Sequence, residues 1–234
     1  MSPPRGRPKE GSLPEGDEGA RPGPGGTARS AKGASCVKRI GLFGGTFDPP
    51  QLAHVALARC ARDTLPLDEV RWIPAGSPWQ KTRAISDARH REAMVALAIE
   101  GERGFVLDRC EIERDGPSIT LQTVHQARQR EPDAQWFVLI GADQYNNLHT
   151  WRGWRELLSL VTLVVAERPG VPLQPDPAVA SVPHRVLPLP PLPISATDIR
   201  ARVARGEPIT GLVSDAVASY IDRHHLYTGS ASGH

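Results

Sequence analysis

Two short stretches of this 234-residue chain hold the residue types that bind phosphate. In the first, Lys38–His54, an apolar run leads into Gly44-Gly45. An Asp48-Pro49 turn follows, and a helix opens with His54 near its start. Glycine lets the backbone take positive φ and lets a ligand come close. A helix start offers unpaired N–H groups and partial positive charge. An imidazole there is biased toward its neutral form and can donate to a phosphoryl oxygen. The loop is not a Walker A motif, since no Gly-Lys-Ser/Thr follows, and it is not G-x-G-x-x-G. A Gly-Gly turn alone suits any strand-to-helix connection, and a lone histidine suits surface or core. Their conjunction is what reads as a phosphate site.

The second stretch is Pro193-Ile-Ser-Ala-Thr-Asp-Ile-Arg200. Ser195 and Asp198 have the capping-box spacing, which a well-capped helix alone would explain. Arg200, a turn and a half in, adds a guanidinium to the Ser195 and Thr197 hydroxyls, completing a possible second anion clamp. Two anion sites at opposite ends of one sheet domain imply a polyphosphate between them.

Positioning these residues requires alternating strands and helices. Strand patterns fall at Arg39–Phe43, Glu69–Ile73, Phe105–Leu107, Trp136–Ile140 and Leu160–Ala166, with Arg185–Leu187 as an edge. Helical spacing falls at His54–Thr64, Asp87–Glu100, Ser118–Arg130, Trp154–Ser159, Ser195–Arg205 and Ser214–His224, and a loop is expected over Glu167–Pro183. The continuous apolar run Trp136–Ile140 suits a strand covered on both faces. This alternation predicts an α/β fold, a Rossmann-like parallel sheet with helices on both faces in a single domain with C-terminal helices. Its ligands are expected at the carboxyl ends of the strands.

Residues 1–35 hold six Pro, eight Gly and one large aliphatic residue, Leu13. Such a segment buries too little to offset its ordering entropy and reads as a disordered tail; a true start nearer Val37 is the alternative. The domain is expected over 36–228, with a flexible terminus over 229–234. Net charge is +2, with 28 Lys+Arg against 26 Asp+Glu, which leaves no nucleic-acid footprint. The longest apolar runs are far short of a membrane span. Three cysteines without CxxC spacing argue against a disulfide framework or zinc knuckle, and the expected compartment is cytoplasmic.

Together, Gly44-Gly-Thr-Phe-Asp-Pro-Pro-Gln-Leu-Ala-His54 and Ile194-Ser-Ala-Thr-Asp-Ile-Arg200 resemble the two signatures of the HxGH-type nucleotidyltransferases. Ile73–Lys81, Pro117–Thr123, Ile140–Asp143 and Thr150-Trp151 narrow the resemblance to bacterial nicotinate-nucleotide adenylyltransferases, over about residues 38–228. The resemblance implies adenylyl transfer from ATP to nicotinate mononucleotide with Mg²⁺, giving deamido-NAD and pyrophosphate. The partners would be ATP and nicotinate mononucleotide, with no nucleic acid and no membrane, and the assembly a monomer or small homo-oligomer.

By the same likeness, His54 stabilises the transition state on the ATP phosphates, with Gln51 and Arg200 as further catalytic candidates. Gly44, Gly45, Thr46 and Phe47 line the first turn. Ser195, Thr197 and Arg200 hold the β- and γ-phosphates, and Gly141 and Asp143 serve the ATP ribose. Lys81, Thr120 and Trp151 serve nicotinate mononucleotide. Lys81 could equally be a solvated lysine, Asp143 a turn residue and Trp151 a core residue. Trp136 and Trp154 read as core, and Trp72 stays unassigned. No protein metal site is expected.

Two positions depart from the signature: Gln51 replaces its first histidine and Ala53 its glycine. Glutamine keeps an amide donor of similar reach but cannot become cationic. If that donor only orients phosphates, activity survives. If it must carry charge, roughly 10²–10³-fold in rate is at stake. A low-turnover nucleotide-binding sensor or scaffold, or a preference for nicotinamide mononucleotide, are the alternatives.

Overall fold

The computed structural model describes residues 37–77, 85–167, 170, 172–190 and 194–228. The expected tail, the 229–234 terminus and Lys81 lie outside them. The described elements are β1 (Arg39–Gly45), α1 (Leu52–Thr64), β2 (Glu69–Pro74), α2 (Ala88–Ala98), β3 (Phe105–Leu107), α3 (Thr120–Arg130) and β4 (Gln135–Gly141). There follow α4 (Ala142–Asn146), a 3₁₀ turn (Leu148–Thr150), α5 (Trp154–Leu160), β5 (Thr162–Glu167), α6 (Pro177–Ala180), β6 (His184–Pro188), α7 (Ala196–Ala204) and α8 (Asp215–Arg223).

All strand pairs are parallel, in the order β3-β2-β1-β4-β5-β6. The chain order reverses between β1 and β4, and in such sheets ligands bind in the crevice outside the carboxyl ends at that point. Side chains alternate between the two faces because the strand period is two. Ile40, Leu42, Trp136, Val138 and Ile140 pack with Val124 of α3 and Leu157 of α5. Phe43, Val70, Trp72, Phe137 and Leu139 pack with Val55, Ala58 and Ala61 of α1 and Val95 of α2. A third cluster joins Met94 of α2, Ile194, Ile199 of α7, and Val217 and Ile221 of α8. That cluster holds the C-terminal helices beside the carboxyl end of β1.

The predicted α/β architecture is present, and Trp72, Trp136 and Trp154 are all core. Two local expectations are corrected. The loop expected over Glu167–Pro183 contains α6, capped by the Asp176 carboxylate on the Ala178 N–H at 2.9 Å. The strand expected from Leu160 starts at Thr162, because Leu160 completes α5. The five-residue α4 and the 3₁₀ turn behind it are too short for periodicity to show. Among the described residues no helix is long and apolar enough to cross a membrane.

Candidate active site

Gly44 and Gly45 end β1 at the crevice. A Cβ on Gly44 would meet nothing within 4 Å, so the strand opens into unfilled space there. A Cβ on Gly45 would come 2.9 Å from the Phe47 ring. Phe47 has φ 48°, a left-handed conformation that strains a side-chain-bearing residue by about 1–2 kcal/mol. Its ring is buried, 5.3 Å from the Trp72 ring and 5.5 Å from that of Phe43. The Phe47 side chain therefore lies in the core. Only its backbone can face the turn.

His54 stands in the first turn of α1. The Gln51 backbone N–H donates to its Nδ1 at 3.0 Å. An accepting Nδ1 leaves Nε2 to carry the proton, so the neutral imidazole is a donor at Nε2.

Gln51 caps α1 and is buried. In the amide orientation that satisfies both neighbours, its Nε2 donates to Ile194 O at 3.2 Å and its Oε1 accepts from Ala196 N–H at 2.7 Å. The amide is thus bonded to the backbone that opens α7.

At α7 the expected cap is present: Ser195 Oγ accepts from Asp198 N–H at 3.0 Å. Asp198 does not close the box, because its carboxylate accepts from Arg202 Nε at 2.9 Å. Arg200 Nη1 donates to Asp48 O at 2.7 Å and Nη2 to Thr197 Oγ1 at 3.2 Å. The two anion segments therefore do not lie at opposite ends of the domain. They meet at one end, hydrogen-bonded to each other.

Two residues outside the motifs hold this end together. Arg91 of α2 is only 2% exposed, and its guanidinium donates to three carbonyls: Ser86 O at 2.9 Å, Thr46 O at 3.0 Å and Gly76 O at 3.3 Å. Burial pulls its pKa below the ordinary guanidinium value and nearby Asp48 opposes that pull. The residue remains a cation near neutral pH. Tyr227, beyond α8, donates to Asp48 Oδ1 at 2.7 Å. Burial, and then the Asp48 carboxylate, push its hydroxyl well above the ordinary tyrosine value, so it stays a donor. Arg91 had a sequence signal, since it shares the inward stripe of α2 with Met94 and Val95. Tyr227 had none.

Beside the carboxyl end of β4 lie the candidates for the ATP ribose and for the acceptor nucleotide. Asp143, Gln144, Asn147, Thr150 and Trp151 line an open cleft of 320 Å³ beside the carboxyl end of β4. Gly141 caps α4 and Asp143 lies in its first turn. Trp151 is half-buried against the core cluster that contains Trp154. Thr120 opens α3, whose cap residue Ile119 offers no side-chain acceptor. A Cβ on Gly153, at φ 70°, would come 2.4 Å from Leu121 Cδ2, so the segment after Trp151 abuts the start of α3. Ser118 N–H donates to Ser77 O at 3.1 Å, which ties the loop after β2 to the same place.

A family model described as cytidylyltransferase-like matches residues 42–202. The chain is 52% identical over 206 residues to a probable nicotinate-nucleotide adenylyltransferase of Methylibium petroleiphilum, covering 86% of this chain and 97% of that one. It is 47% identical over 197 residues to that of Bordetella petrii, covering 82% of this chain and 100% of that one. A solved structure of the Plasmodium falciparum nicotinic acid mononucleotide adenylyltransferase complexed with APC superposes with a TM-score of 0.66. That structure is 17% identical and covers 81% of this chain and 97% of its own, a likeness of fold. With its strand order, its paired anion segments and relatives this similar over nearly their whole length, the chain belongs to the nicotinate-nucleotide adenylyltransferase family.

Proposed function

We propose that this protein transfers the adenylyl group of ATP to nicotinate mononucleotide, releasing pyrophosphate and forming deamido-NAD. One observation carries the reading. The starts of α1 and α7, with His54 on one and Arg200 on the other, are hydrogen-bonded together at the β1/β4 switch point.

Phosphoryl-type transfer needs positioning and charge stabilisation more than a covalent nucleophile. An oxygen of the acceptor's phosphate attacks the α-phosphorus of ATP, and the bond from that phosphorus to the α,β-bridging oxygen breaks. The attacking oxygen is already anionic, so no general base is required. ATP enters as its Mg²⁺ complex, with the hard cation held by phosphate oxygens. The Gly44–Thr46 backbone takes the triphosphate, and His54 Nε2–H donates to the oxygens that gain charge. Arg200, Ser195 and Thr197 hold the β- and γ-phosphates that leave. Asp143 takes the adenosine ribose at the Gly141 strand end. The pyridine stacks on Trp151, with its carboxylate at Thr120 and the open α3 start, and Lys81 contributes a cation to the same nucleotide.

Pyrophosphate release by the purified chain, with nicotinate and nicotinamide mononucleotides in parallel, tests this. A higher kcat/KM for the nicotinate form is expected. A preference for the amide would overturn the acceptor, and no release with either would overturn the enzyme.

A further inference from the structure

The two phosphate segments are far apart in sequence, so chain connectivity sets nothing about their separation. Yet the reaction places the breaking bond between them. One of the cross-links that span them is Gln51. Its backbone N–H fixes the His54 tautomer through Nδ1 at 3.0 Å. Its side chain reaches Ile194 O and Ala196 N–H. Ala196 is the first residue of α7. An N–H at that position has no acceptor inside its own helix. The local cap, Ser195 Oγ, takes the Asp198 N–H and leaves the one at Ala196 to Gln51.

We infer that Gln51 is a positioning residue: it caps α7 from another helix while setting the donor state of His54, and so locks the two phosphate sites in register. This role deepens the adenylyltransferase reading and rests on it. It explains how glutamine serves where the family signature has histidine. The side chain must accept and donate toward one strip of backbone, which a planar amide does from a single end and a cation cannot.

The test is hydrogen exchange of the Ala196 amide in the ligand-free full chain, read beside steady-state kinetics. Gln51→Met keeps the volume and removes both bonds; Gln51→Ala is the second probe should methionine perturb the fold. Gln51→Glu keeps the acceptor. Ala196 should be protected in wild type and in Gln51→Glu, and unprotected in Gln51→Met. Turnover of Gln51→Met should fall about 10²-fold, the scale of a small misplacement, with KM for nicotinate mononucleotide unchanged. Ala196 protection that survives Gln51→Met overturns the inference. So does lost protection with kcat intact. A wild-type protein without turnover would sink the enzyme reading alone, because the exchange result stands without it.

Discussion

The two ends of the sheet handle charge in opposite ways. At the amino ends, charges answer charges: Lys38 and Arg71 both pair with Glu69 and Glu131. At the carboxyl ends, two arginines also donate to neutral carbonyls: Arg91 to Ser86, Thr46 and Gly76, and Arg200 to Asp48 O. A guanidinium bonded to a carboxylate is largely neutralised. One bonded to carbonyls keeps its charge for a ligand. Asp48, a carboxylate whose charge acts on Arg91, accepts from the Tyr227 hydroxyl. The amino end is thus a seam of ion pairs, while at the carboxyl end guanidinium-to-carbonyl bonds tie together the turns around β1.

Substitutions at the two ends should part accordingly. The largest effect is expected from His54→Ala, which removes the Nε2 donor. Pyrophosphate release should fall roughly 10²–10³-fold, the usual cost of one donor to a developing oxyanion. Next comes Arg91→Met, which strands three carbonyls around a buried side chain. A loss of about 3 kcal/mol in urea unfolding is expected, at 1–3 kcal/mol per stranded group discounted for water entry. Arg91→Lys should not restore it, since one ammonium lacks the fork that spans three acceptors. Tyr227→Phe deletes the hydroxyl that donates to the Asp48 carboxylate and also meets Met94 Sδ and the Ser86 side chain. It should lower stability by about 2 kcal/mol and weaken ATP binding more than acceptor binding, as competition with tripolyphosphate would show.

The smallest effect belongs to the amino end. Arg71→Met should leave kcat unchanged and cost about 1 kcal/mol at neutral pH. Its signature is in the pH dependence. The Arg71 hydrogen bond holds the Glu131 carboxyl below the ordinary value of 4.5. A depressed folded pKa contributes stability that is full above that ordinary value and is lost as pH falls through the folded one. Melting temperatures of wild type should therefore drop on acidification below about pH 4.5, and the drop should be shallower in Arg71→Met. Equal slopes would remove the contrast between the two ends.

Much of this was legible in the residues, and the parts that were not have physical reasons. The buried strands showed as apolar runs, and the Ser195 cap showed as spacing, because both are local. The α4 helix stayed hidden because five residues hold little more than one turn. Phe47 looked like a site residue because it sits inside the motif; its positive φ turns the ring into the core. Arg91 and Tyr227 carried no motif, since a residue that bonds to backbone carbonyls or to one carboxylate needs no partner near in sequence.

By itself the sequence determined the longer elements, their parallel pairing and the helix starts of the two candidate phosphate segments, since hydrophobic period, glycine and capping residues act within a few positions. Only the tertiary structure decided that those starts touch. It also decided that Gln51 spans them, because only the packing of α2, α7 and α8 brings Gln51 to Ile194 and Ala196, whereas the bond that sets the His54 tautomer is local.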